Sequence, residues 1–424
     1  MSRFLARFAL SILMLIVSLS LILAGFSNGS APAAADPSAA AQVAARTEIK
    51  IGIMGGITGP GKSAVAPMMN ELEATLKYTN EVEGGIDGVK LSWKIIDNKG
   101  TPEGAVMAYK ELRDSYKPDF YVVIDDYLYA GIKDMIEEDK SVIITTSSFQ
   151  NTLYVPPGRF FGLAIPAADG FAAYCTWVLA DWQKNHPDQT RAPKIGVLYW
   201  DMPSGLQWKV AESWVKKQGV EIFPVSYPMT SIDLTTQFMQ VRDAGVDYIW
   251  MNCITQQAAL AIRDFSGLGL KGEISFSFTE MCEAQPLIAL VGQNASGFYL
   301  YRSEDPSSDG SQAAKLWSDI NKWSKGEEQW SDNRINITLK AVVAAAVRQA
   351  AADVGADKIN NEAIFTALTK LTAIDTWGNM KEFGFSPEKR LGVSYIKMAQ
   401  FTDTGTVSAS EHFALPRVFE GIDK

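Results

Sequence analysis

The sequence predicts an α/β protein built from doubly wound parallel sheets with helices on both faces. Strand-like and helix-like segments alternate through most of the 424 residues, which is the pattern of parallel β-α-β units. Hydrophobic residues make up 47% of the chain, which is ample material for cores. The ~390 residues after the N-terminal segment suggest two or three lobes.

Apolar runs predict the strands, and apolar residues at helical spacing predict the helices. Strands are expected at 48–54, 89–96, 119–124, 141–145, 194–198, 220–225, 246–251, 273–278, 297–301 and 393–401. Helices are expected at 103–113, 312–324, 335–354 and 361–371. A further stripe from Phe171 to Trp182 has the spacing of a buried helix face.

The first 35 residues are typical of an export signal. Arg3 and Arg7 precede an uncharged stretch from Phe8 to Phe26, and Ala33-Ala34-Ala35 offers small residues for cleavage. The stretch is also long enough to span a bilayer as an uncleaved anchor, so both outcomes stay open, with cleavage near Ala35 preferred. No other stretch is expected to cross a membrane.

Charge and residue usage exclude several functions. The formal net charge of −9 disfavours nucleic acid and anionic membranes as partners. Cys175 belongs to the buried stripe, whereas Cys253 and Cys282 each follow a strand and are either disulfide-bonded or free. His186 and His412 are the only histidines, and neither lies near a cysteine. We therefore expect no catalytic residue, no metal site and no cofactor.

Residues 56–63 match the phosphate-binding pattern of nucleotide hydrolases, but we expect no nucleotide site there. Pro60 lacks an N–H donor inside the loop. A phosphate-binding helix would begin near Lys62 and place Pro67 inside it, at a cost of about 3 kcal/mol. Pro67 is therefore expected to be the first residue of a helix that runs to about Glu81.

The loops at the carboxyl ends of the strands predict where a ligand binds, because open parallel sheets bind ligands there. These loops are rich in hydroxyl and aromatic side chains, which suits a mostly apolar pocket with a few polar groups. They are residues 55–61, 125–129, 145–149, 200–204, 252–255 and 278–281.

The opening of the chain resembles the branched-chain amino-acid-binding proteins of ABC transporters, and a weaker likeness extends over the rest. The residues that carry the resemblance are Thr58-Gly59-Pro60-Gly61, Asn80, Gly84 to Leu91, Asp97, Pro102 and Ala105. The resemblance implies the type I periplasmic binding protein fold, in which two lobes close like a clam around a small ligand. The implied crossings between lobes are 164–168, 299–303 and 381–385. Lobe I would comprise 46–165 and 303–381, and lobe II 168–299 and 385–424.

The function implied by the resemblance is that of a periplasmic solute receptor, which captures a small ligand by hinge closure and delivers it to an ABC permease. A monomer is expected. The alternatives are a ligand-sensing ectodomain of a signalling system, which has the same fold, and, more remotely, a nucleotide-dependent enzyme.

For an amino-acid ligand, the family uses a lobe I Ser/Thr cluster for the carboxylate and a lobe II acid for the ammonium group. Ser147 and Ser148 match the first requirement and Glu280 the second, with Glu280 facing the two serines across the cleft. The alternatives are that the serines only cap a helix and that Glu280 is solvated.

Aromatic residues in the same loops keep a second ligand class open. Tyr127, Phe149 and Trp200 are expected to offer stacking surfaces for a ring, unless Tyr127 and Trp200 only cover the sheet edges. Ser204 is a further expected contact, at a position where the family often has a tyrosine. Asp125-Asp126 is awkward for an anion unless both side chains point away from the cleft or cap a helix. A branched-chain amino acid and an aromatic amino acid or carboxylate therefore both remain candidates.

Overall fold

The strands of the chain divide between two sheets. The computed structural model describes residues 48–59, 61–202, 204–304, 310–324 and 334–423. The strands in this part of the chain are β1 (Glu48–Gly55), β2 (Lys90–Asp97), β3 (Phe120–Val123), β4 (Ile143–Thr145), β5 (Phe160–Gly162), β6 (Lys194–Trp200), β7 (Glu221–Tyr227), β8 (Tyr248–Met251), β9 (Ser275–Phe278), β10 (Tyr299–Arg302), β11 (Tyr395–Phe401), β12 (Thr406–Ser408) and β13 (Phe413–Ala414).

Helices lie between most of the strands. They are α1 (Lys62–Glu81), α2 (Pro102–Glu111), α3 (Lys133–Glu138), α4 (Ala167–Asn185), α5 (Lys209–Lys217), α6 (Thr235–Asp243), α7 (Thr255–Gly267), α8 (Ala284–Val291), α9 (Gln312–Trp323), α10 (Ile335–Val354) and α11 (Asn361–Lys370). Several starts follow from local chemistry. Thr101 caps α2 by accepting a hydrogen bond from Gly104 N, and Pro102 begins that helix, where its missing N–H costs nothing. Ser311 and Asn360 cap α9 and α11 in the same way.

The first sheet has the strand order β2-β1-β3-β4-β5, and every pairing in it is parallel. The second has the order β12-β11-β10-β9-β8-β6-β7. Its five strands β6 to β10 are parallel, and β11 runs antiparallel to β10. The parallel parts repeat one pattern, since the first strand of each lies between the second and the third. Strands buried on both faces explain the continuous apolar runs of β3, β4 and β8.

The predicted alternation of strands and helices is confirmed, and most bounds agree within two residues. The short strands β5, β12 and β13 were not predicted. The buried helix face from Phe171 to Trp182 belongs to α4, and Cys175 is buried there. All three cysteines are free thiols in the structure, so the disulfide alternative is not the one adopted.

The predicted start of the first helix is wrong. Helix α1 begins at Lys62, not at Pro67, and Pro67 lies inside its second turn. The added turn buries Val65, which extends the apolar stripe of Met69, Leu72 and Leu76 toward the N-terminus. Pro67 is the sixth residue of this helix, so it removes one intrahelical hydrogen bond, the one that an N–H at this position would donate to Ser63 O. Packing therefore outweighs the propensity argument here.

The expectation that no other stretch could cross a membrane is also wrong by length and composition. Helix α10 has the length and mean hydropathy of a membrane span, but 72% of its apolar window is buried inside the protein. It packs on α1 and α11, as a core helix does. The predicted export signal and Pro60 lie outside the described residues.

A short bridge joins the first sheet to the segment that leads into the second. Gly162, the last residue of β5, pairs with Leu391, and the chain enters the second sheet at Tyr395. The predicted third crossing, 381–385, precedes this bridge. The lobe bounds remain predictions.

Candidate ligand site at the strand ends

Each sheet has a switch point, which is the place where the chain turns from one side of its first strand to the other. In the first sheet it lies between the carboxyl ends of β1 and β3, and in the second between those of β6 and β8. Such points are where open α/β sheets bind ligands, because the loops diverge there and leave a crevice. The loops after these strands are therefore the candidate site.

At the first switch point, Asp125 joins the two loops. Its Oδ2 accepts a hydrogen bond from Gly56 N at 2.9 Å, and its Oδ1 accepts one from Asn98 Nδ2, also at 2.9 Å. Burial raises the pKa of Asp125 to about 6, and these two donors only partly offset the effect. Asn98 in turn accepts from Gly100 N, so the cluster is hydrogen-bonded on every side.

Asp126 is the centre of a second cluster and is completely buried. Its Oδ1 accepts from Ser147 Oγ at 3.0 Å and from Phe149 N at 3.1 Å, and its Oδ2 accepts from Tyr154 Oη at 2.9 Å. A longer bond of 3.4 Å comes from Gln150 N. Burial raises the pKa of Asp126 in spite of these donors.

The residues predicted from the first-sheet loops do come together around Asp126. Ser147 is buried, and its hydroxyl both donates to Asp126 Oδ1 and accepts from Asp126 N. The neighbouring Ser148 is buried as well. Phe149 is half-buried and meets Tyr127 edge to face, with ring centroids 6.1 Å apart. Tyr127 is the exposed member of the pair, so an aromatic wall borders this cluster.

Two backbone N–H groups in the segment with the phosphate-binding pattern donate hydrogen bonds to carboxylates. Gly56 N donates to Asp125, and Thr58 N and Oγ1 both donate to Asp97. A phosphate bound at these two amides would have to displace two acidic side chains.

At the second switch point, the predicted residues are placed differently. Trp200 ends β6 and is buried in the core of the second sheet, and Ser204 is half-buried in the following turn. Gly205 is required there, because a Cβ at this position would lie 2.1 Å from Trp200 O. Asn252 follows β8 directly and is 0% exposed, yet neither its Oδ1 nor its Nδ2 has a hydrogen-bond partner among the described residues.

Glu280 lies where two segments approach the second sheet. Its Oε1 accepts from Ile165 N at 2.9 Å, and its Oε2 accepts from Ser303 Oγ at 3.4 Å. Burial, followed by the nearby Glu304, raises the pKa of Glu280 well above the ordinary glutamate value. Within the described part of the chain, no hydrogen bond joins Glu280 to Ser147 or Ser148.

Comparison of the sequence with known protein families identifies the family of this chain. The model of the periplasmic binding protein family matches residues 48–406, which covers both sheets and both switch points. The chain belongs to this family. Among curated proteins, none is similar enough in sequence to count as a relative.

Solved structures share the fold of this periplasmic binding protein. A branched-chain amino acid ABC transporter protein from Thermus thermophilus with bound valine has a TM-score of 0.77 at 19% identity, covering 89% of this chain and 99% of its own. A fatty acid ABC transporter substrate-binding protein from Thermomonospora curvata has a TM-score of 0.70 at 18% identity, with coverages of 89% and 95%. A leucine-binding protein from Thermotoga maritima has a TM-score of 0.68 at 15% identity, with coverages of 85% and 98%. These likenesses show the type I periplasmic binding protein fold.

Three buried polar side chains in the predicted ligand loops have no hydrogen-bond partner among the described residues. They are the Asn252 amide and the hydroxyls of Thr146 and Ser148. The sequence places all three in loops at strand ends but predicts a contact only for Ser148, because an unmet hydrogen-bonding group becomes visible only in three dimensions. No group of three potential metal-ligating side chains was found within the described residues.

A separate cavity of about 340 Å³ lies away from the strand ends. It is bordered by β1, α1, α9 and α10 and lined by apolar residues such as Ile51 and Leu72 together with charged ones such as Asp319, Lys340 and Arg348. None of its lining residues belongs to the two Asp clusters or to the Asn252 loop.

Proposed function

We propose that this periplasmic binding protein is an exported receptor that captures a small organic molecule by hinge closure and delivers it to an ABC permease. The observation that carries the proposal is the pair of sheets with the same strand order, each with a polar switch point. Glu280 supports it, since this residue of the second sheet holds the backbone of Ile165, just after the first sheet. On this proposal the lobes are residues 46–165 with 303–381 and residues 168–299 with 385–424.

The proposed contacts are those expected from the sequence. They are Tyr127, Ser147, Ser148, Phe149, Trp200, Ser204 and Glu280. In the amino-acid version of the proposal, the serines bind the ligand carboxylate and Glu280 binds the ammonium group. An aromatic carboxylate would use the Tyr127–Phe149 wall instead of the acid.

A thermal-shift screen followed by small-angle scattering tests the receptor function. A ligand at 100 times its dissociation constant should add roughly 2.7 kcal/mol of apparent stability. Saturating ligand should also reduce the radius of gyration, because closure shifts a pre-existing equilibrium with little change inside each lobe. Identical scattering curves with and without a tightly bound ligand would rule out the clam mechanism.

Export and delivery need separate measurements. Mass spectrometry of the exported protein should find an N-terminus near residue 36, as a cleaved signal requires. An intact N-terminus would instead favour a membrane-anchored sensor. Cells that lack the protein should lose high-affinity uptake of its ligand, and unchanged uptake would contradict the delivery role.

A further inference from the structure

The cavity of about 340 Å³ between β1, α1, α9 and α10 has the size of a ligand pocket. Protein interiors are packed so closely that voids larger than a water molecule are few. Pockets that hold small molecules have volumes of about 300–1,000 Å³ and combine apolar walls with some polar groups. Buried apolar side chains such as Ile51, Leu72 and Leu339 form much of the wall here. The cavity is therefore a candidate site of its own, apart from the strand-end loops.

The cavity lies where two hydrophobic clusters meet. Leu72 and Val343 belong to the main core around the first sheet, whereas Leu316 packs against a small separate cluster that includes Ile320 and Ile337. All three of Leu72, Val343 and Leu316 line the cavity. A molecule that fills it would therefore remove apolar surface of both clusters from water, which is favourable.

Polar contacts hold α1 and α10 together on both sides of the cavity wall. At one side, Asn336 Nδ2 donates to Met68 O at 2.9 Å. At the other, Lys340 Nζ donates to Thr79 Oγ1 at 2.7 Å and forms a salt bridge with Glu83. The segment of α1 between these contacts contributes the lining residues at positions 72, 75 and 76. Because both ends of this segment are held, the wall is fixed before any ligand binds.

Two polar atoms in this wall are left without a partner. The Thr75 hydroxyl and Asn336 Oδ1 are buried, each in a residue that is 1% exposed, and neither has a hydrogen-bond partner among the described residues. The amide nitrogen of Asn336 is bonded to Met68 O, so its oxygen is the free atom and it needs a donor. Thr75 lies two helical turns after Met68 on the same face of α1, and its hydroxyl can donate or accept.

The charged residues of the lining are balanced and do not favour a charged ligand. Lys340 is paired with Glu83, and Arg348 donates two hydrogen bonds of 2.9 Å to Asp87. A carboxylate would leave Asn336 Oδ1 unpaired, because it offers only acceptors. An ammonium group would lose its hydration beside apolar walls. A hydroxyl group is uncharged and offers both a donor and an acceptor.

We propose that this cavity binds an uncharged, mostly apolar molecule that carries one hydroxyl group. The ligand hydroxyl donates to Asn336 Oδ1 and accepts from the Thr75 hydroxyl, and its carbon skeleton packs against Leu72 and Val343. The site is a second one, and it does not depend on which ligand binds at the strand ends.

Four probes with one carbon skeleton test the class of ligand on the full exported protein. They are 2-phenylethanol, ethylbenzene, phenylacetate and 2-phenylethylammonium. Each is titrated while the methyl NMR signals of Leu72, Leu339 and Val343 are followed, because these signals report the cavity and not the strand ends. We expect 2-phenylethanol to shift them with a dissociation constant at least about fivefold below that of every other probe. A smaller advantage over any of the three, or no shift of these signals by the alcohol, overturns the proposal.

Thr75→Val tests the polar contact, because it removes the hydroxyl and keeps the shape of the side chain. It should weaken 2-phenylethanol about fivefold and leave ethylbenzene within about twofold. Ser266→Ala is the matched control, since it removes another hydroxyl without a partner among the described residues, on α7 outside the cavity. Equal losses for both probes in Thr75→Val, or a loss for neither, would contradict the assigned contact. If Thr75→Val does not fold, the four probes measured on the wild type decide the proposal.

Discussion

The two switch points of this protein have the same topology and opposite polar chemistry. In the first sheet, Asp125 and Asp126 each receive at least two hydrogen bonds from within the chain. In the second sheet, Asn252 is equally buried, and its amide atoms receive none among the described residues. The carboxylates of the first point are therefore paired within the chain, whereas the Asn252 amide at the second is not. The neighbouring hydroxyls of Thr146 and Ser148 also have no partner among the described residues. Topology decides where a site lies, and the side chains after each strand decide which of its polar groups are already hydrogen-bonded within the protein.

The largest expected effect is on stability, through Asp126. Asp126→Ala leaves the Ser147 hydroxyl, the Phe149 N–H and the Tyr154 hydroxyl unpaired in a buried place. We expect a loss of about 3–5 kcal/mol in the free energy of unfolding, measured by urea denaturation. Asp403→Ala, at an exposed position, should stay within about 0.5 kcal/mol. Similar losses in the two variants would contradict the view that the first switch point is built around Asp126.

A second prediction concerns pH. The pKa of Asp125 is raised from 3.8 to about 6, so the folded protein retains a proton that the unfolded chain has released between these values. The stabilising effect is therefore full below pH 4 and is lost as the pH rises toward 6, at most about 3 kcal/mol in all. Asp125→Asn should remove the Asp125 share of this decline, so that stability falls less steeply between pH 4 and 6 in a series of unfolding curves.

Asp169 is the control for that experiment. It is a buried acid whose pKa burial raises to about 7, and its Oδ1 accepts from Phe419 N at 2.7 Å. Asp169→Asn should make the fall in stability shallower up to pH 7 while leaving the contribution of Asp125 between pH 4 and 6 in place. If Asp125→Asn leaves the profile between pH 4 and 6 unchanged, the buried acid of the first switch point does not titrate as inferred.

The sequence predicts the frame of this molecule better than its polar contacts. Strands such as β3 and β8 are recognisable because apolar runs and the turns around them are local signals. The start of α1 was missed because Val65 packs against distant residues, and that packing outweighs the local penalty of Pro67. The acceptor role of Asp126 depends on donors 21 to 28 residues away, which no spacing rule connects. The unmet amide of Asn252 likewise becomes visible only when its three-dimensional surroundings are known.

Two buried asparagines provide the sharpest test of the comparison. The Asn98 side chain is hydrogen-bonded through both its oxygen and its nitrogen, whereas the Asn252 side chain has no partner among the described residues. Both residues are 0% exposed. Asn98→Leu should destabilise the protein by about 2 kcal/mol, because Asp125 loses a buried donor. Asn252→Leu should be neutral or slightly stabilising in urea unfolding.

Ligand affinity should show the reverse order in the same pair. Asn252→Leu should weaken the tightest ligand of the thermal-shift screen about tenfold, equal to about 1.4 kcal/mol, in titration calorimetry. Asn98→Leu, measured under conditions where it is folded, should change that affinity less. A strongly destabilised Asn252→Leu that binds normally would show that Asn252 has a structural role and no ligand.

The smallest effect is expected at Glu280, and it separates the two ligand classes. If the ligand were an amino acid with its ammonium group on Glu280, Glu280→Gln would remove a buried charge pair and cost about 2–5 kcal/mol, or 30-fold and more in affinity. In the structure, both carboxylate oxygens of Glu280 instead accept hydrogen bonds from Ile165 N and Ser303 Oγ. Glutamine keeps an acceptor for Ile165 N and removes a carboxyl group whose pKa is already raised by burial and by Glu304. We therefore expect the affinity for a ligand without an ammonium group to change less than about threefold in titration calorimetry, which is below 1 kcal/mol. A 30-fold loss with an amino-acid ligand would show that Glu280 binds the ammonium group.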